Sequence, residues 1–133
     1  MADVLYKATF PSEFEAMMHT LDEALRALVS GGCIPRDKEA CARLCLEEAL
    51  VNAVRHGNGC DQSRQVKVEI LRDGDSCRIR VCDEGNGFSP ENITLPEPDQ
   101  PGGRGICLIR HFVDEVRFDK ESKCFEMLFR WVA

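Results

Sequence analysis

The stretch "CLEEALVNAVRHGNG", Cys45 to Gly59, reads as a helix of Ala, Leu and Val interrupted by Glu47, Glu48 and Asn52. Carboxylates and amides are costly to bury unless a partner answers them. At about 100° per residue, Ala42, Leu46, Ala49, Leu50 and Ala53 form an unbroken apolar stripe suited to packing on a sheet. Glu48 and Asn52, spaced i, i+4, fall about 40° apart on a different side, shared with Cys41 and Cys45. Glu47 lies roughly 100° from Glu48, where Arg43 can pair with it one turn away. The spacing makes Glu47 a solvated charge and aims Glu48 and Asn52 into a common cleft. An amide oxygen is a hard, neutral ligand for Mg²⁺, and a carboxylate one turn away can polarise a hydroxyl beside that metal. Two polar residues that merely face water would give the same pattern, so the wheel leaves both readings open.

Before this helix, Val4, Tyr6, Ala8 and Phe10 alternate as a first strand. "PSEFE" then starts a helix, with Ser12 as N-cap and Glu15 closing a capping box. Phe14, Met17, Met18, Leu21, Leu25 and Leu28 follow at helical spacing as its core face, and Gly31 and Gly32 stop it. The second helix is expected from about Asp37 to His56, ended by Gly57. "QVKVEIL" and "CRIRVCD" alternate as two strands joined by a turn at Asp73 to Asp75. A third helix is expected in "GGRGICLIRHFVDEV". Val116 and Phe118 then begin a strand, and Phe125, Met127, Phe129 and Trp131 alternate in a last one. The order β-α-α-β-β-loop-α-β-β predicts an α+β two-layer sandwich, with helices on one face of a mixed, mostly antiparallel sheet.

Residues 84–105 differ from the rest. They hold four of the six prolines and five of the ten glycines with little periodicity, which fits a functional lid or a disordered linker. Two short motifs flank it. Asp83 ends a strand and is followed by Gly85 and Gly87, which let the backbone approach a flat ligand, and a carboxylate there suits the exocyclic amine of adenine. Gly102, Gly103 and Gly105 precede a helix, whose free N–H groups and dipole make a phosphate cradle. Taken singly, the first motif is also an ordinary turn and the second an ordinary helix entry.

Composition narrows the field. A chain of 133 residues supports one core and is short for two domains. Its net charge of −6 argues against direct nucleic-acid binding, and no apolar run approaches the roughly 20 residues of a membrane span. "MADVLYKATF" lacks a basic region followed by an apolar one, so a cytoplasmic location is expected. The eight cysteines include no C-x-x-C pair and mostly occupy apolar positions, which predicts reduced core thiols.

Together, E-x-x-x-N on a helix, D-x-G-x-G after a strand and G-x-G opening a helix, in that order, resemble the GHKL ATPase superfamily. Its asparagine box and two glycine boxes are similar to "EALVNA", "DEGNG" and "GRG". Within it, the short chain, "NAVRHG" and "GGRGICLIRHFVDEVRF" resemble the anti-sigma-factor serine/threonine kinases. The resemblance implies a Bergerat-type ATP-binding fold forming a single domain over 1–133, with an ATP lid at about 84–104. It implies ATP and Mg²⁺ as cofactors, Glu48 as general base, Asn52 as Mg²⁺ ligand and Asp83 as the adenine-reading carboxylate. Gly85 and Gly87 match the first glycine box, and Gly103 and Gly105 the second, with Arg104 between them and Arg110 nearby as candidate phosphate or partner contacts.

The partners it implies are a STAS-domain anti-anti-sigma protein as phosphoryl acceptor and a sigma factor held by sequestration. A homodimer is usual in similar proteins, although the periodicity shows no spare interface stripe. The alternative within the same fold is a nucleotide-dependent binding switch without transfer, which would tolerate loss of Glu48. A sensor histidine kinase fragment fits less well, because no helix with a phosphoacceptor histidine precedes the domain and His19 sits among core positions. Two departures from the family pattern stand out: Lys123 and Cys124 replace a Gly-Thr pair in the last hairpin, and the first helix carries a single arginine, Arg26.

Overall fold

The computed structural model describes residues 3–85, 113–119 and 121–130. Strand β1 (Asp3–Pro11) leads into helix α1 (Phe14–Ser30), a 3-10 turn (Arg36–Lys38) and helix α2 (Glu39–Asn52). A π turn (Ala53–Gly57) extends α2, and strands β2 (Gln65–Asp73), β3 (Ser76–Cys82), β4 (Glu115–Asp119) and β5 (Cys124–Phe129) follow. The five strands form one sheet in the order β1-β2-β3-β5-β4, and every pairing is antiparallel. The expected α+β sandwich is therefore present, with a described sheet that is wholly antiparallel rather than mixed. The expected third helix lies outside the described residues up to residue 112, while residues 113–116 form a bend and the start of β4 instead of its end; Trp131 also lies outside the described residues.

Alternation decides which face of the sheet is buried. Val66, Val68 and Ile70 of β2, Ile79 and Val81 of β3, and Phe125, Met127 and Phe129 of β5 point inward. They meet Leu21, Ala24 and Leu28 of α1, Leu46, Ala49 and Leu50 of α2, and Ala53 of the π turn. Each fully buried Leu, Ile or Phe contributes about 1.5–3 kcal/mol of transfer free energy, so this layer carries the fold. In β1 a bulge between Val4 and Tyr6 shifts the phase, so Val4 is 62% exposed while Leu5 packs against the core. The end of α1 is set by glycine: Gly32 takes φ +71°, and Cys33 N–H and Gly32 N–H donate to Leu28 and Val29 carbonyls at 3.0 and 3.1 Å.

The outer face carries a row of alternating charge across all five strands. Lys7 opposes Glu69, Glu69 opposes Arg80, Arg80 opposes Glu126, and Glu126 opposes Arg117. Opposite charges on facing positions stabilise neighbouring strands, whereas like charges would splay them. The Glu126 side chain, 8% exposed, is gripped from both sides, with Arg117 Nε at 2.6 Å and Arg80 Nε at 2.9 Å. The Arg80 leg is off the angle of a hydrogen bond and acts as a coulombic contact. Lys67 Nζ, 2.7 Å from Glu69, holds that carboxyl below its usual pKa range, chiefly through its hydrogen bond. That contribution is present at neutral pH and is lost as pH falls through the lowered value.

Several expectations are corrected. Ser12 does not cap α1: Glu13 occupies the N-cap position without a side-chain bond, and Glu15 closes no capping box. Ser12 Oγ instead donates to the Arg64 carbonyl at 2.7 Å. Met17 is buried but Met18 is exposed, and His19 is exposed beside Glu23 rather than in the core. Arg43 pairs with Asp22 of α1 at 3.0 Å, tying the two helices together, instead of with Glu47.

The cysteines also depart from eight reduced thiols. Cys33 is bonded to Cys77 and Cys82 to Cys124, while Cys41, Cys45 and Cys60 are free. Sequence separations of 44 and 42 residues hide both pairs from local inspection. Folding places Cys82 directly opposite Cys124 across β3 and β5, and brings the end of α1 to the start of β3.

Two measurements check this architecture. Peptide mapping without reductant should recover both cross-links, and reducing each should lower stability by about 2–4 kcal/mol. Glu126→Gln preserves shape and removes the charge that two partly solvated arginines share, so urea denaturation should show a loss of about 1–2 kcal/mol. A loss below about 0.3 kcal/mol would make the charged row ornamental.

Candidate functional site

Helix α2 buries Ala42, Leu46, Ala49 and Leu50, as its apolar stripe requires, and also Cys45 from the side that Glu48 and Asn52 share. Asn52, the last residue of α2, is only 6% exposed, yet among the described residues its side-chain amide makes no hydrogen bond. Glu48, one turn earlier, is half-buried. Its pKa is raised, first by burial and then by the like charge of Glu47, with Arg55 pulling the other way. Arg55 itself lies over the Phe14 ring, 5.8 Å from the centroid, and Phe14, expected on the core face of α1, is 42% exposed.

Beyond Asn52 the helix widens. Asn58 N–H donates to the Ala53 carbonyl at 2.9 Å, an i to i−5 bond in place of the α-helical i to i−4. Gly57, within this turn, meets the end of β3. A Cβ at Gly57 would overlap the Asp83 carboxylate, and a Cβ at Gly85 would overlap the Gly57 carbonyl oxygen. The two glycines thus let the helix end and the D-x-G segment touch backbone to backbone. Asp83 is 6% exposed, and its Oδ1 accepts from Gly85 N–H at 3.0 Å.

Asn58, 1% exposed, joins these parts. Its Oδ1 accepts from Glu84 N–H at 2.8 Å and Gly85 N–H at 3.0 Å. Its Nδ2 donates to Ser12 Oγ at 2.8 Å and to the Gln65 carbonyl at 3.0 Å.

Of the residues singled out from sequence, Glu48 and Asn52 share one side of α2, and Asp83 and Gly85 are brought against the turn that follows Asn52. Gly87, Gly103, Arg104, Gly105 and Arg110 lie outside the described residues, as does the expected lid apart from Glu84 and Gly85. Sequence reasoning does not reach Asn58, and it makes Gly57 a helix stop and nothing more. A signal is present in "HGNG", since a glycine followed by an amide at a helix end is a common turn signature. Nothing local, however, points to contacts with Ser12 and Gly85.

The donor set fits an adenine nucleotide with Mg²⁺. An amide with no hydrogen-bond partner among the described residues is a ready ligand for a hard cation, and a carboxylate at a strand end is an acceptor suited to an exocyclic amine. No group of three or more His, Cys, Asp or Glu capable of forming a metal cage by themselves occurs among the described residues. Mg²⁺ commonly takes few protein ligands and completes its shell with phosphates and water.

The sheet carries helices on one face, and the D-x-G segment meets the turn that ends the second helix. Residues 10–131 match the model of the histidine kinase-like ATPase domain family, and the chain belongs to that family. It is similar to the serine-protein kinase RsbW of Oceanobacillus iheyensis, 27% identical over 68% of this chain and 64% of that protein. It is also similar to the serine/threonine-protein kinase BtrW of Bordetella bronchiseptica, 25% identical over 59% of this chain and 60% of that protein. The anti-sigma F factor of Anoxybacillus flavithermus is 30% identical over 53% of each. The chain thus spans between 53% and 64% of the length of these relatives. No described helix is long and apolar enough to cross a membrane.

Glu48 gives a test by titration. A carboxyl whose folded pKa exceeds its unfolded value favours folding only while protonated; the contribution is present at low pH and lost as pH rises through the raised value. Glu48→Gln should therefore leave the melting temperature at neutral pH unchanged or higher. By carbon-13 NMR, Glu47→Gln should lower the Glu48 pKa and Arg55→Ala should raise it. The opposite signs would mean that these charges do not face Glu48.

Proposed function

We propose that this chain is an ATP-dependent protein serine/threonine kinase of the anti-sigma type. It transfers phosphoryl to a hydroxyl of a STAS-domain anti-anti-sigma protein and sequesters a sigma factor. The observation that carries the reading is Glu48, a half-buried carboxylate of raised pKa held one helical turn before Asn52. A module that only bound nucleotide would gain nothing from an ionisable group that works against its own stability. The names of the relatives, two kinases and an anti-sigma factor, support the same reading.

ATP with Mg²⁺ supplies the phosphoryl group and the positive charge that offsets it. Asn52 would hold Mg²⁺ through its amide oxygen. Asp83 would accept the exocyclic amine of adenine, with Gly85 N–H holding its carboxylate in place. Gly87, Gly103, Arg104 and Gly105 would form the phosphate end, an assignment that rests on the sequence motifs alone. Glu48 accepts the proton of the attacking serine or threonine hydroxyl, and burial raises its basicity for that task. The single domain over 1–133, the lid at 84–104 and a cytoplasmic location belong to the same proposal.

Labelled ATP and a purified STAS-domain protein test it. Glu48→Gln should retain ATP affinity while phosphoryl transfer falls about 10²–10⁴-fold. Glu47→Gln should transfer within a few-fold of the native rate. A native protein that binds ATP and a STAS partner yet never phosphorylates it would instead be a binding switch.

A further inference from the structure

We infer that Asn58 is a positioning residue that sets base selectivity by fixing Asp83, and that Ser12 acts through it. The inference rests on the nucleotide reading above and adds to it which residues make the adenine end selective.

An asparagine amide has two donors and two acceptor sites, and Asn58 uses all four. Its orientation is thereby fixed. With oxygen and nitrogen exchanged, the NH₂ would face two backbone N–H groups, and the oxygen would face the Gln65 carbonyl. The partners come from three separate segments, the β1–α1 junction (Ser12), the start of β2 (Gln65) and the two residues after Asp83 (Glu84 and Gly85), which meet Asn58 just after the π turn.

Asp83 is coupled to this clasp through one hydrogen atom. Gly85 N–H is shared between Asn58 Oδ1 and Asp83 Oδ1, both at 3.0 Å. Where Asn58 holds the Glu84–Gly85 backbone, Gly85 N–H in turn holds the Asp83 carboxylate, which is walled on its other side by Gly57. Ser12 completes the chain of contacts. It is 2% exposed, donates to the Arg64 carbonyl at 2.7 Å and accepts from Asn58 Nδ2. Asn58 does not itself face the base; it decides where the group that reads the base stands.

A residue that only stabilised the fold would weaken every nucleotide alike. A residue that positions Asp83 governs the difference between bases. Inosine triphosphate shares the sugar and phosphates of ATP but replaces the exocyclic amine with a carbonyl, which a carboxylate acceptor repels.

The experiment is isothermal titration of ATP and inosine triphosphate, with Mg²⁺, against the native protein, Asn58→Ala and Ser12→Ala, with thermal melts of each. A charge-assisted hydrogen bond corresponds to roughly tenfold or more in affinity, so the native protein should prefer ATP by at least that factor. Asn58→Ala should lower the ATP-to-inosine ratio by roughly tenfold, and Ser12→Ala by a smaller factor in the same direction. A folded Asn58→Ala whose ratio stays within threefold of native overturns the inference and leaves the nucleotide reading standing. If Asn58→Ala does not fold, the Ser12→Ala ratio decides, and an unchanged ratio there overturns the inference. A native protein that binds neither triphosphate overturns the nucleotide reading and this inference with it.

Discussion

The close approach of the Gly57 backbone to Asp83 and Gly85 is the contact around which the site is arranged. It requires that neither glycine carry a Cβ, because either one would intrude on the opposing atoms. The approach buries a carboxylate at a strand end, where an unanswered charge would be expensive, and the Gly85 N–H supplies an answer without a basic side chain. It also fixes the distance between the helix that carries Glu48 and Asn52 and the strand that carries Asp83. In a protein of net charge −6, backbone N–H groups and an uncommitted amide are means of meeting an anionic nucleotide that need no basic patch.

Ser12 shows how competing uses of one hydroxyl are resolved. As an N-cap it would contribute about 1 kcal/mol to α1. Turned inward, it instead satisfies a buried Asn58 donor that would otherwise cost about 1–3 kcal/mol, and it binds the Arg64 carbonyl as well. The inward hydrogen bonds outweigh the cap, and α1 begins at Glu13 without a side-chain cap. The π turn works in the same direction. Bonding Asn58 N–H to Ala53 rather than Val54 alters the pitch of the last turn and lets Asn58 enter the interior at the level of β2 and β3.

The sheet keeps its two faces chemically separate. Inside, β-branched and aromatic residues meet the helices; outside, a charged row and the Cys82–Cys124 bond tie the strands together. That bond sits one residue before Asp83, and Asp83 N–H donates to Lys123 carbonyl at 3.2 Å. Lys123 has φ +58°, the left-handed conformation that glycine adopts without penalty and other residues at a cost of about 1–2 kcal/mol. The departure from a Gly-Thr hairpin is thus a backbone feature that the neighbouring strand pairing and cross-link hold in place.

What the sequence by itself determined was whatever repeats with a local period. The i, i+4 offset of Glu48 and Asn52, the apolar stripe of α2, the alternation of β2, β3 and β5, and the glycine stops after α1 and α2 all follow from geometry within a few residues. The family motifs were legible for the same reason, since each is a short string. Tertiary structure decided the rest, because those outcomes depend on which distant groups arrive together. Arg43 chose Asp22 over Glu47 once α1 lay beside α2, and four cysteines found partners more than 40 residues away. The bulge at Val4 came from pairing with β2. Asn58 acquired its place only when four segments met at one point, since a single amide can bond four groups only where folding has already brought them within 3 Å.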